Sequence, residues 1–236
     1  MGTPAPPAAV RWGLPDALVA WVVGIVAAVI AAVPFIDPNG KIPDDREVVA
    51  TLVLLVVQNA AIVASILAIS RSKGQGSLRR DFGLAFDPHD SVWVLAGVGL
   101  AVAAGILVLP ITELAGLTDS SQDVVQTFEH SAGVLEKVGV AAGVVLVAPL
   151  AEELLFRGVL LRSLLRRVSP VAAVSTAALV FAVVHVLGDL GTGYYVPAFL
   201  LLGLVSGWRA VVTGRIGQSV CLHAGFNLVA AIQILT

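Results

Sequence analysis

SVWVLAGVGLAVAAGILVLPIT, residues 91–112, contains no charged side chain. A helix of this length, rising 1.5 Å per residue, covers the roughly 30 Å of hydrocarbon in a bilayer. A single segment can do so only as a helix, because every backbone N–H and C=O must be paired without water. Comparable runs recur at 14–36, 48–70, 138–165, 170–187, 194–213 and 216–235. The pattern predicts an all-α, polytopic transmembrane helix bundle of about seven spans, forming one integral membrane domain over residues 1–236.

Composition supports the same conclusion. The chain is 58% hydrophobic and 13% charged, with a mean hydropathy of +0.95, whereas soluble domains carry roughly a quarter charged residues. There is too little polar surface to coat a water-soluble globule. The Pro-rich start, residues 1–13, carries one cation, Arg11, and the apolar stretch behind it is too long for a signal-peptide core. It reads as a retained first span. A net charge of −2 with no basic tract argues against nucleic acid as a partner, and the single cysteine, Cys221, excludes an intramolecular disulfide. Between the first two spans lies the polar turn DPNGKIPDDRE, and between the second and third the basic, Gly-broken RSKGQGSLRRDFGLAFDPHD. The connection GLTDSSQDVVQTFEHSAGVLEK has room for a short amphipathic helix from about Ser121 to Leu135.

Orientation follows from the distribution of Lys and Arg. Arg11, Arg71, Lys73, Arg79, Arg80, Arg157, Arg162, Arg166, Arg167, Arg209 and Arg215 fall on one side, and Lys41, Arg46 and Lys137 on the other. That split of 11 to 3 uses all 14 basic residues and places the N-terminus in the cytoplasm. The same ratio holds for Arg against Lys, which points to a GC-rich bacterial genome and hence to a bacterial plasma membrane.

Ionisable residues deep in a span cost at least about 2.5–3.5 kcal/mol each on insertion scales, so they call for a partner or a job. The sequence has Glu152, Glu153 and Arg157 in APLAEELLFRG, His185 in FAVVHV, and His223 with Asn227 in HAGFN. Glu152 precedes Arg167 by 15 residues and His185 follows Pro170 by 15. Both therefore lie roughly 22 Å along their helices from one turn. His223 and Asn227 are 8 and 12 residues past Arg215, or about 12 and 18 Å along the axis. A carboxylate, two imidazoles and an amide thus share one slab of the membrane, and His223 and Asn227 share a helix face. Pro149 removes an N–H one turn before Glu152 and is expected to free the carbonyl of Val145.

Other polar residues have plainer readings. Glu153 and Arg157, spaced i, i+4, neutralise each other. Gln58 and Asn59 read as interhelical hydrogen-bond glue. Asp16, Glu113 and Asp189 lie near span ends and reach headgroups, while Arg162, Arg166 and Arg167 meet lipid phosphate.

At these residues the chain resembles the CAAX prenyl protease and bacteriocin-processing (CPBP) family of intramembrane proteases. Glu152, Glu153 and Arg157 match its Glu-Glu-x-x-x-Arg run, Phe181 and His185 its aromatic-x-x-x-His, and His223 and Asn227 its His-x-x-x-Asn. The matched region is 148–227, within a catalytic core of 138–235; the first hundred residues agree only in hydropathy. The resemblance implies a glutamate endopeptidase with no cofactor and no metal. Glu152 with His185 would activate a water, His223 and Asn227 would stabilise the oxyanion, and Glu153 with Arg157 would support Glu152. The implied partners are a peptide or membrane-protein substrate and the lipid bilayer.

Five rival readings compete with this one. Glu plus two His is a ligand set for catalytic zinc, although no HExxH pair is present. Cys221 lies two residues, about 200°, from His223 and faces away as a nucleophile. A Ser206–His223 dyad lacks the Gly expected at Leu204. A scaffold or immunity protein would use the cavity to hold a partner helix. A transporter would show paired interrupted helices in matching halves, which are absent from the sequence.

Overall fold

The computed structural model describes residues 10–115, 133–187 and 190–235. The helix expected from about Ser121 falls largely outside them, as does Asp189. Among the described residues the chain is helical, with α1 (Leu14–Ala32), α2 (Asp44–Lys73), α3 (Leu78–Phe82), α4 (Val92–Ala115), α5 (Val134–Leu165), α6 (Pro170–Val186), α7 (Val196–Thr213) and α8 (Gly217–Leu235). Five helical stretches are long and apolar enough to cross a membrane: Leu14–Phe35, Asp44–Lys73, Pro88–Leu114, Val134–Leu165 and Gly193–Thr213. Two shorter apolar helices, Pro170–Val186 and Gly217–Ile232, complete a set of seven at the positions read from the sequence. The protein is a multi-pass membrane protein.

The lateral surface is that of a lipid-facing bundle. Leu18, Val29 and Ile30 on α1 and Leu95, Ile106 and Leu109 on α4 are more than half exposed. Water would make that surface costly, whereas hydrocarbon makes it the solvated face.

α4 packs along α8, α1 along α2 and α6 along α7, while α5 runs between them and touches α1, α2, α6, α7 and α8. Small residues let the backbones approach, as expected where lipid removes the hydrophobic drive between helices. A Cβ on Gly97 would strike the carbonyl of Leu222, and one on Gly225 that of Val94, so α4 and α8 meet backbone to backbone. Gly203 packs 2.9 Å (for a Cβ built there) from Ala178 across α7 and α6. These contacts fix the rotation of α8, and with it the direction of His223.

The basic ends gather at one end of the bundle. Arg11 N–H donates to the carbonyl of Lys73, Lys73 Nζ meets Asp16 at 2.6 Å, and the Arg166 guanidinium donates to the Trp12 carbonyl while stacking 4.1 Å over its ring. Arg162 donates to the carbonyl of Gly214, Ile216 N–H to that of Gly83, and Arg215 pairs with Asp90. This is the end that the basic asymmetry assigns to the cytoplasm.

Several plain readings change here. Arg162, Arg166 and Arg167, the residues expected to meet lipid phosphate, each donate a guanidinium N–H to a backbone carbonyl, of Gly214, Trp12 and Ser163, while Arg166 and Arg167 stay exposed. Asp16 is buried, accepts from the Gly13 N–H, and pairs with Lys73 rather than reaching headgroups. The 71–90 connection is also more than a loop. Ser77 caps α3, Gly83 closes it with φ 73°, and Phe82 is buried against Trp12, with ring centroids 5.0 Å apart.

Candidate active site

α5 departs from α-helical registry twice, at Gly143–Val147 and at Leu154–Leu161, where the backbone widens to π-helix on either side of Ala148–Glu153. Such bulges recur at functional sites because they turn side chains off the regular 100° spacing. They also change which carbonyl Pro149 leaves open. In i→i+5 registry the partner missing its donor is Val144, five residues back, rather than Val145. Asn227 Nδ2 on α8 donates to that Val144 carbonyl at 2.9 Å. The break in α5 and the amide on α8 therefore complete each other.

The two adjacent carboxylates point in different directions. Glu153, with 0% exposure, pairs with Arg157 at 3.1 Å, as the i, i+4 spacing predicts, and its Oε1 is 3.0 Å from His223 Nδ1. Arg157, 2% exposed, lies 4.5 Å over the Phe181 ring. Phe181 is also within 4.2 Å of the His185 ring and 5.6 Å of the His223 ring, centroid to centroid. An ion pair and an aromatic hub thus hold both imidazoles.

Glu152 faces the other way. Its Oε2 is 3.3 Å from His185 Nε2 and 3.7 Å from His223 Nε2, and that oxygen is buried with no hydrogen-bond donor among the described residues. The tautomers follow from the far side of each ring. His185 Nδ1 is 2.7 Å from the Phe181 carbonyl, which can only accept, so Nδ1 carries the proton and a neutral ring turns the Nε2 lone pair toward Glu152. Read as a carboxylate, Glu153 likewise accepts from His223 Nδ1. Two Nε2 atoms and one carboxylate oxygen, all acceptors in that state, converge on one point. Acceptors so arranged need a proton among them, and proton transfer is the chemistry the cluster can perform.

Glu152 and His185 open onto a cavity of about 180 Å³ that is also lined by Trp21, Gln58, Asn59 and Val184. It has room for several waters. His223 lies behind Glu152, 2% exposed, and neither it nor Asn227 lines this cavity. The sequence therefore brings Glu152, His185 and His223 into one contact, with Asn227 one turn further along α8 on the Val144 carbonyl. Sequence reading underrated Gln58 and Asn59. Both line the cavity, and Asn59 Nδ2 bonds the Leu55 carbonyl of its own helix rather than a neighbouring one. Ser206 Oγ likewise donates within its helix, to Leu202 at 2.6 Å. Among the described residues, no group of three or more His, Cys, Asp and Glu side chains is placed to hold a metal ion.

A second, apolar cavity of about 230 Å³ shares the walls Trp21, Leu155, Phe156 and Val184, and extends between α1, α5 and α6 along Ala17, Leu160 and Val180. The polar cavity and the apolar cleft thus adjoin across these shared side chains.

With this geometry in place, residues 135–229 match the family model described as type II CAAX prenyl endopeptidase Rce1-like. This region of the chain is Rce1-like. The match spans Glu152, Glu153, Arg157, His185, His223 and Asn227 and agrees with the resemblance to the CPBP family. No curated protein and no solved structure matches the chain. The Rce1-like region covers α5 to α8, leaving α1 and α2, which supply Trp21, Gln58 and Asn59 to the cavity, outside the match. A protease-type activity within a multi-pass membrane protein is what this region supports.

Proposed function

We propose that the protein is an intramembrane endopeptidase of the glutamate type in a bacterial plasma membrane, hydrolysing a peptide bond of a peptide or membrane-protein substrate. The observation that carries this reading is the convergence of His185 Nε2 and His223 Nε2 on Glu152 Oε2 at the edge of a cavity. Glu152 takes a proton from water as the oxygen attacks the carbonyl carbon, and His185, its tautomer set by the Phe181 carbonyl, shares that proton. His223, steered by Glu153, turns Nε2 toward Glu152 and becomes a donor there when it takes up a proton. Asn227 has two amide N–H bonds; one holds the Val144 carbonyl and the second is left for the oxyanion. Glu153 and Arg157 position Glu152 and His223. The apolar cleft takes an apolar group of the substrate beside the scissile bond, so that a substrate embedded in lipid reaches the site from the side.

The test separates this mechanism from zinc catalysis and from a scaffold. Protein purified in detergent is assayed for zinc by elemental analysis and for cleavage of a quenched-fluorescent library of apolar peptides, before and after a strong chelator. Less than a tenth of an equivalent of zinc, with cleavage unchanged by chelator, is the expected result. One zinc per chain with activity lost on its removal would make Glu152 and the histidines metal ligands. Absence of any cleavage by the wild type favours a scaffold that holds a partner in the same cavity.

A further inference from the structure

Gln58 stands on α2 in the wall of the cavity that Glu152 and His185 share. Its neighbour Asn59 bonds the Leu55 carbonyl, but the Gln58 carboxamide has no hydrogen-bond partner among the described residues. An amide inside a spanning helix is costly unless something pairs with it. Packing gives no reason for it either, because the apolar side chains Ile62, Leu155 and Val184 fill the adjoining wall. The remaining polar groups of the site are already directed. His185 Nδ1–H is on the Phe181 carbonyl, His223 Nδ1 is on Glu153, and Asn227, which gives one of its two N–H bonds to Val144, stands on α8 outside the cavity lining, across from α2. Glu152 offers only acceptors where it faces the cavity as a carboxylate. A peptide bond placed there lacks a donor for its carbonyl oxygen on the α2 side, and Gln58 has two such N–H bonds in reach of the same space.

We infer that Gln58 is a catalytic residue: its side-chain N–H donates to the carbonyl oxygen of the scissile peptide and holds the oxyanion formed on attack. In that step the water oxygen bonds to the carbonyl carbon, the C=O π pair moves onto oxygen, and the released proton goes to Glu152. Collapse returns the pair, breaks the C–N bond, and delivers the Glu152 proton to the leaving amine, so water is consumed and no further reactant is needed. The hydrogen bond from Gln58 shortens as charge builds on the oxygen, which places its effect in kcat rather than in KM. This inference rests on hydrolysis at Glu152, but it assigns the reaction a residue on α2, outside the Rce1-like region.

The experiment compares wild type with Gln58→Leu, Gln58→Asn and Glu152→Gln, using the member of the quenched-fluorescent apolar peptide library that wild type cleaves fastest. Kinetics and thermal unfolding are both measured in detergent. Gln58→Leu keeps the size and removes the donor. It is expected to lower kcat by about 10²–10³, with KM within a few-fold and an unchanged unfolding temperature. Gln58→Asn, retaining an amide, should recover part of that loss. Cleavage by Gln58→Leu within threefold of wild type, while Glu152→Gln is inactive, overturns the inference and leaves the reaction standing. A drop matched by an equal loss of folded protein, or one seen in KM alone, also overturns it. Full cleavage by Glu152→Gln, or none by wild type, overturns the underlying reading as well.

Discussion

Glu152→Gln is expected to abolish peptide cleavage while leaving the folded protein intact. The substitution preserves size, and the new amide can donate to either Nε2 that faces it, at the positions now 3.3 and 3.7 Å from the carboxylate. Packing of Leu154, Leu155 and Phe156 around the site is untouched. What disappears is the ability to accept a proton from water, since a carboxamide is not a base. General base catalysis contributes about 10²–10⁴ in rate, so kcat should fall by at least that range. The unfolding temperature should stay within a degree or two of wild type, because a partly buried carboxylate with one buried, unpaired oxygen is being replaced by a neutral group. Stopped assays on purified protein, with thermal unfolding of the same samples, measure both. Cleavage at the wild-type rate would remove Glu152 from the mechanism.

Arg157→Ala should act the other way, on folding before activity. Arg157 and Glu153 are 2% and 0% exposed, 3.1 Å apart, with the guanidinium over Phe181. Removing the cation leaves Glu153 as a buried charge whose remaining contact is His223 Nδ1. Breaking a buried pair from one side costs about 3–5 kcal/mol. The expected result is a much reduced yield of monodisperse protein in detergent and an unfolding temperature lowered by many degrees. Arg157→Lys should restore charge but not the flat contact with Phe181, and so recover stability only in part. The double variant Arg157→Leu with Glu153→Leu should be more stable than Arg157→Ala, since it leaves no unpaired charge; it should also be slow, because His223 loses the carboxylate that orients it. If Arg157→Ala purifies and unfolds like wild type, the ion pair is not what holds this part of α5.

The spans were legible because lipid imposes one rule on every segment. Residues 91–112 or 48–70 need only be apolar and about 20 long to be identified, and their ends agree with the helices to within a few residues. The depth of Glu152, His185 and His223 could also be read, since counting from a turn at a fixed rise measures depth whatever the packing. Rotation could not. Whether Glu152 or Glu153 faces the cavity depends on the two π-helical stretches of α5, and nothing in the local sequence marks them apart from Pro149. The same bulge moved the open carbonyl from Val145 to Val144 and gave Asn227 its partner. Gln58 and Asn59 looked alike as adjacent amides on one span, yet successive helical positions differ by 100°, and only packing against α1 and α5 showed that both reach the cavity. The carbonyl partners of Arg162, Arg166 and Arg167 were hidden for a related reason: sequence does not show how near the helix ends come together.

The water-activating role of Glu152, in cutting a substrate in the membrane, underlies the cleavage outcomes above. It is tested most directly by comparing the protein termini in membranes of the native host carrying either wild-type protein or Glu152→Gln at equal abundance. At least one membrane-associated precursor should accumulate in the Glu152→Gln strain, and the terminus produced by its cleavage should be found only with wild type. Identical sets of termini in the two strains, with full biological activity conferred by Glu152→Gln, would contradict it.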